Sequence, residues 1–361
     1  MSSLKEYLAT GTKDVEATVM DGATGTLLGD YGYQASEQWN GGCAPRELVT
    51  RVHTAYLEAG ATVLTTNTYC LNRHVMGLPG PPRSCSTVAD ANAEAIEVAR
   101  AAIAAFGESQ DGEGRANNVV LLGSVSNHPP AVASSNEAPE DGNFTAMGVW
   151  PSPDVEAENY VEQIEALVEG GVDALVLEMM KERSHAGAAI GAAVASGLPV
   201  IIGLTIAIGD DGQVVARDDH SLSLSEMLAM WAGLPHVVGI AIMHSDLSDT
   251  KVAVRALAAA YDGLILAYPN QGVWAPPNWT VLEDISPEDY ADWAVEVYHA
   301  GARVIGGCCG FRPAHITALA HRCAEMMVYP SDVVTVVSGA AASSPAASSP
   351  EPAPEADPSD L

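Results

Sequence analysis

Lysine is scarce in this chain: only four of its 16 basic residues are lysines, against 46 aspartates and glutamates, for a formal charge of -30. A surface so short of cations repels phosphate backbones and anionic headgroups, which argues against nucleic acid and membrane surfaces as partners. The acidic surplus also fits a salt-rich habitat, where a well-solvated surface resists precipitation. Long apolar runs are missing: none reaches the ~18 residues that a membrane-spanning helix needs. The opening stretch "MSSLKEYLATGTKDVEA" has no apolar core of the kind an export signal carries. Cysteines are few and irregular, at positions 43, 70, 85, 308, 309 and 323, which is no disulfide framework. Together these absences fit a reduced, cytosolic chain. A glycine-rich phosphate loop is absent as well. The first apolar run leads into "DGATGTLLG", without G-x-G-x-x-G spacing, so the main signature of a dinucleotide-binding open sheet is missing.

What is present is one repeating pattern. Short apolar runs alternate with segments of helical periodicity. The candidate strands are 17–22, 61–67, 118–126, 173–179, 199–206, 237–245, 262–270 and 303–309. Between them, "PRELVTRVHTAYLEAG" sets Leu48, Val52, Tyr56 and Leu57 on one face with Gly60 as its stop. "DVEAENYVEQIEALVEGG" opens on Asp154 as a cap, and "SPEDYADWAVEVYHAG" opens with Ser286 and Pro287, a cap and a first-turn proline. Eight such units over roughly 310 residues predict a (β/α)8 TIM barrel, residues 1–337, as a single domain. Residues 209–221, with "DDG" between polar stretches, read as a hairpin insertion. The Ala/Ser/Pro-rich acidic segment 338–361 cannot bury a core and is expected to be a disordered tail.

Barrel chemistry sits at the carboxyl ends of the strands. Those ends carry Asp21, Thr66 with Asn67, Ser126 with Asn127, Glu178, His244, Asn270, and Cys308 with Cys309. The adjacent cysteines would form a strained ring if oxidised, so a structural disulfide is not expected. They read either as inert core thiols or as two thiolates for one metal ion. For the second reading His244 is the third ligand, two strands back around the ring. Two thiolates and an imidazole leave zinc one open position, the pattern of a catalytic site. The glycines at 306, 307 and 310 let the loop fold tightly.

These residues resemble the homocysteine S-methyltransferases, a zinc-dependent barrel family. The resemblance runs from about residue 18 to 325. It is carried by "DGATGT" (21–26), "HTAYLEAGATVLTTNTY" (53–69), the "YPN" ending strand seven, and "GGCCG" (306–310) followed by "FRPAHI". It implies that Cys308 and Cys309 are zinc thiolates. It also implies that Asp21 and Glu178, across the mouth from them, bind the amino group of homocysteine, and that Gly22 and Ala23 receive its carboxylate. The resemblance departs at one point. Where the family carries a third zinc cysteine, this chain reads "GIAIMHSDL", which places His244 on that position. The implied activity is transfer of a methyl group from a cationic donor to the homocysteine thiol, giving methionine.

No cobalamin-binding D-x-H-x-x-G segment accompanies the barrel, since "DDHSLS" (218–223) fails at the glycine, so the donor must bring its own leaving group. Tyr69 and Trp39 are candidates for an aromatic cage around a quaternary ammonium. Met179 follows Glu178 where betaine enzymes carry an aromatic residue, which tilts the donor toward a sulfonium. Trp274 and Trp279 mark a loop that could cover the mouth. Asn67 and Asn270 complete the expected small-molecule pocket. Three alternatives stay open: another thiol or a selenol as acceptor, or a zinc-free, non-catalytic barrel that binds an amino acid. The sequence leaves the oligomeric state open.

Overall fold

In the computed structural model, which describes residues 2–11, 15–33, 44–76, 87–127, 150–275, 278–280 and 285–328, eight parallel strands form the expected (β/α)8 barrel. In chain order they are β1 (Thr18–Val19), β2 (Val63–Thr65), β3 (Val120–Ser126), β4 (Ala174–Met180), β5 (Val200–Leu204), β6 (Val237–Asp246), β7 (Leu264–Asn270) and β8 (Val304–Ile305). β8 pairs with β1 (Thr18 opposite Val304) and with β7 (Leu266 opposite Val304). The ring closes between β1 and β2 through a parallel bridge from Met20 to Val63. Thr62 N donates to Val19 O at 2.9 Å and Asp21 N donates to Val63 O at 3.0 Å across the same seam.

Alternation along the strands builds two layers of core, since successive side chains of a strand point to opposite faces. Met20, Val63, Val120, Leu122, Val176, Ile201, Ala241, Leu266 and Val304 fill the barrel interior. Leu64, Leu121, Leu175, Leu177, Ile202, Ile240 and Ile265 face outward and pack beneath the helices. The helix Leu4–Thr10 contributes Leu4 to the interior cluster, and Tyr7 donates its hydroxyl to Val238 O at 2.6 Å. Val238 lies at the amino end of β6, so this helix plugs the end of the barrel opposite the strand ends that carry the polar residues.

The helix Arg46–Glu58 buries Val49, Val52, His53, Tyr56 and Leu57, close to the expected face, although Leu48 is only partly buried. Ser286 caps Pro287–Ala300 as expected, its hydroxyl accepting from Asp289 N at 3.1 Å. Asp154 is not the cap of its helix. Pro153–Glu169 starts two residues earlier than expected, with Ser152 at the cap position and Pro153 in the first turn, where a missing N–H costs nothing. The insertion is larger than the hairpin expected. Ile206–Ile208, Val214–Ala216 and Asp219–Ser223 form a three-stranded antiparallel sheet, with the "DDG" turn joining the first two. Val273–Ala275 and Asn278–Thr280 pair as a hairpin after β7. Trp39 and the tail 338–361 lie outside the described residues. No helix among the described residues is long and apolar enough to cross a membrane.

Candidate active site

The strand ends depart from regular ladder geometry where the site begins. The β4–β5 register shifts between Leu177 and Met180, and the β6–β7 register shifts next to Tyr268 and Asn270. Met179 and His244 both sit at positive φ, 64° and 51°. Side-chain-bearing residues enter this left-handed region only where the surroundings over-determine them. The two irregularities flank Glu178 and coincide with His244.

Those two residues meet. His244 Nε2 lies 2.8 Å from Glu178 Oε2, and the other oxygen, Oε1, accepts a hydrogen bond from the Ser124 hydroxyl. On its far side, His244 Nδ1 lies 3.4 Å from Cys308 Sγ, and Cys308 Sγ lies 3.8 Å from Cys309 Sγ. Both thiols are free, as the strain argument required. Glu178 is therefore one imidazole away from Cys308, and Asp21 lies just beyond β1, which pairs with β8, so neither acid lies across the mouth from the cysteines as expected. The bulged ends of β4 and β6 lean together past the shorter β5, which stops at Leu204. Cys308 is buried against Met243 and Tyr268 in the interior core. Its thiol is pushed well above the usual range, first by the neighbouring Cys309 and then by burial.

Asp21 is fully buried just beyond β1. Its Oδ2 accepts from Thr65 N at 2.8 Å and from the Thr65 hydroxyl at 2.9 Å, and its Oδ1 accepts from the Tyr268 hydroxyl at 3.1 Å. Burial dominates these bonds and raises its pKa to about 7, with a smaller push from the charge of Glu178. The next residues are held from both sides. Tyr268 also lies 3.1 Å from Gly22 O, and the Tyr56 hydroxyl lies 3.0 Å from Ala23 O and 3.2 Å from Phe311 O. Gly22 is required by space: a Cβ there would stand 2.6 Å from the Tyr56 ring.

The remaining expected residues line the same end of the barrel. Tyr69 turns its ring toward His244, with centroids 5.8 Å apart, and burial raises its hydroxyl pKa well above the usual value. Asn67 is half-buried in the loop after β2. Asn270 ends β7 with a buried Oδ1 that has no partner among the described residues. The glycines of "GGCCG" serve close packing. A Cβ on Gly306 would reach 2.6 Å from Asp21 O, and one on Gly307 would reach 2.3 Å from the Phe311 ring. Gly310 has φ 92°.

Four contributors escaped the sequence reading: Thr65, Ser124, Tyr268 and Tyr56. Ser124 precedes Ser126 by two and Tyr268 precedes Asn270 by two. Period-two alternation from the polar strand ends would have found both.

A tetrahedral zinc ion with ordinary bond lengths spans about 3.8 Å between two sulfurs and about 3.6 Å between sulfur and nitrogen. The separations of 3.8 Å and 3.4 Å lie close to these edges. Among the described residues no three His, Cys, Asp or Glu side chains are already drawn together as a metal cage. The donor set nevertheless fits the ion, with two thiols and an imidazole whose second nitrogen is tied to a carboxylate.

A barrel that gathers thiols, an imidazole and two buried carboxylates where its strands end is built like an enzyme for a small substrate. Comparison with known proteins narrows that class. Residues 18–323 match the homocysteine S-methyltransferase model, and the chain belongs to that family of methyltransferases. It is 26% identical over 325 residues to betaine–homocysteine S-methyltransferase 1 of Danio rerio, a match covering 84% of this chain and 72% of the relative. Among solved structures, it resembles the metallated form of the homocysteine methyltransferase MmuM from Escherichia coli. The TM-score is 0.66 at 24% identity, covering 88% of this chain and 99% of that one. A methyltransferase from Methanosarcina mazei matches with a TM-score of 0.51 at 13% identity, over 89% and 97% of the two chains. These two likenesses bear on the fold.

Proposed function

We propose that this protein methylates the thiol of homocysteine, giving methionine, at a zinc ion held by Cys308, Cys309 and His244. The observation that carries the reading is the meeting of His244 with the Cys308–Cys309 pair beside two buried carboxylates. When bound, the ion supplies the positive charge that keeps thiols ionised at neutral pH, against the neighbouring Cys309 and the burial that raise Cys308. Asp21 and Glu178 take the ammonium group of the acceptor. A cation is what a carboxylate with its pKa raised to about 7 lacks. The backbone at Gly22 and Ala23, fixed by Tyr56 and Tyr268, receives the acceptor carboxylate. Asn67 and Asn270 line the same pocket, and Asn270 Oδ1 offers a buried acceptor without a partner among the described residues.

The acceptor sulfur forms a bond to the methyl carbon of a cationic donor. The donor's bond to that carbon breaks, and its electron pair stays on the donor heteroatom, which leaves neutral. Tyr69 presents an aromatic face beside His244 on which a cation can rest. With Met179 following Glu178, a sulfonium donor is the better match.

The test pairs metal analysis with a donor–acceptor screen. Purified protein, kept reduced and free of chelator, should carry about one zinc per chain. Cys308→Ala or Cys309→Ala should carry none. Mass spectrometry should detect methionine from homocysteine with S-methylmethionine, S-adenosylmethionine or glycine betaine. A metal-free wild type would refute the zinc site. Zinc-loaded protein that methylates a selenol or another thiol but not homocysteine would refute the acceptor.

A further inference from the structure

We propose that Glu178 is a positioning residue for the metal ligand His244, in addition to any contact it makes with the acceptor. This inference rests on the zinc reading above. The imidazole sits between two unlike neighbours, a carboxylate oxygen 2.8 Å from Nε2 and a sulfur 3.4 Å from Nδ1. An ionised carboxylate can only accept a hydrogen bond, so Nε2 carries the proton. In the neutral imidazole Nδ1 then faces Cys308 with its lone pair, the form in which imidazole ligates a metal. A histidine without such a partner divides its population between two tautomers, and only one of them can ligate through Nδ1.

The partner is itself immobilised. Ser124 and Glu178 are both buried, and the Ser124 hydroxyl occupies Oε1 while His244 occupies Oε2. The two oxygens are thus held by β3 on one side and β6 on the other, which sets the plane of the carboxylate. The backbone under His244 is fixed independently. Ser245 Oγ accepts from Ile206 N at 3.0 Å and donates to Met243 O at 3.0 Å, which clamps the positive-φ turn to the chain leaving β5. Ser124, Glu178 and His244 form a continuous line from the barrel wall to Cys308.

Each carboxylate oxygen has a second lone pair. Glu178 can therefore hold the imidazole and still meet an ammonium group, which couples acceptor binding to ligand geometry through one side chain. A cysteine at position 244 would have no second nitrogen to orient and would need no such partner.

That contrast supplies the experiment. Zinc affinity is measured by chelator competition, without acceptor, on the full-length wild type, Glu178→Gln, His244→Cys and the double variant. Glu178→Gln should weaken zinc binding about 10- to 100-fold in the histidine background. It should change it by no more than about twofold in the cysteine background. Ser124→Ala, a mild change, should weaken zinc in the same direction by a smaller factor. Equal losses in both backgrounds would mean that Glu178 acts through charge or folding alone, and the inference fails. It fails equally if wild type binds zinc and neither Glu178→Gln nor Ser124→Ala alters the affinity. A wild type that binds no zinc overturns both this inference and the proposed function, so the two failures are distinguishable.

Discussion

Replacing Asp21 by asparagine should make the protein more stable and less active. The buried carboxyl has its pKa raised from 3.8 to about 7. A folded state that holds its proton more tightly than the unfolded chain loses stability as pH rises between those two values and is level above them. At 1.36 kcal/mol per unit, the ionised carboxylate costs the wild type on the order of 4 kcal/mol at pH 8. Asparagine carries no charge and can keep the contacts. Its Oδ1 can accept from Thr65 N and Oγ1, and its Nδ2 can donate to the Tyr268 oxygen while that hydroxyl turns to Gly22 O. Allowing for imperfect fit, Asp21→Asn should gain about 1–3 kcal/mol at pH 8, or about 2–6 °C in Tm. The assay is thermal denaturation of metal-free wild type and variant at pH 5 and pH 8. The gap should widen with pH by up to about 3 kcal/mol and stop widening above pH 7. The same variant should lose about 10- to 150-fold in homocysteine affinity, because a charge-assisted bond to the ammonium is gone. A variant destabilised equally at both pH values would refute the desolvation argument. Normal homocysteine affinity would refute the binding role.

Two further expectations concern how the mouth is held. Lys181 and Asp218 form a buried pair at 2.6 Å between the end of β4 and the insertion sheet, so Lys181→Met should cost about 3–5 kcal/mol by stranding the carboxylate. The double change Lys181→Met with Asp218→Leu should recover most of that loss in urea denaturation, and a double variant no better than the single one would disprove the pairing. Tyr56→Phe should cost about 0.5–1.5 kcal/mol, because Ala23 O and Phe311 O lose the hydroxyl but keep backbone donors from Leu27 N and Ala23 N. It should also raise KM for the acceptor more than it lowers kcat, and an unchanged KM would detach that hydroxyl from the pocket.

Much of the barrel was legible because seven of the eight strands read as an apolar run closed by a polar residue, and that rule depends only on the solvent at each end. The eight runs, their order and the polar ends at Asp21, Glu178, His244 and Cys308 followed from it. Strand lengths did not. β1 is regular only over Thr18–Val19, although Met20 still bridges Val63 and Asp21 N still bonds Val63 O, and β8 stops at Ile305 because Gly306 and Gly307 turn into tight contact with Asp21 and Phe311. The pairing of Glu178 with His244 was invisible for a similar reason. It depends on bulges and positive-φ residues in two strands, and local periodicity carries no mark of a bulge. Tyr268 was passed over because a buried tyrosine reads as packing until its hydroxyl is followed to Asp21 and Gly22.

The barrel is unevenly knitted. β1, β2 and β8 run two, three and two residues, while β3, β4, β6 and β7 run seven, seven, ten and seven. Along the thin arc, side chains take over the work of ladder rungs: Asp21 to Thr65, Tyr56 to Ala23 and Phe311, Tyr268 to Gly22, and Thr26 to Gly310 N at 3.0 Å. Proposed ligands fall on this arc as well, at Asp21, Gly22, Ala23, Cys308 and Cys309. Substrate and ion would then act as stitches across the loosest part of the weave. Amide hydrogens there would exchange fastest in the empty protein and slow most on loading, while the broad arc from β3 to β7 keeps its protection throughout.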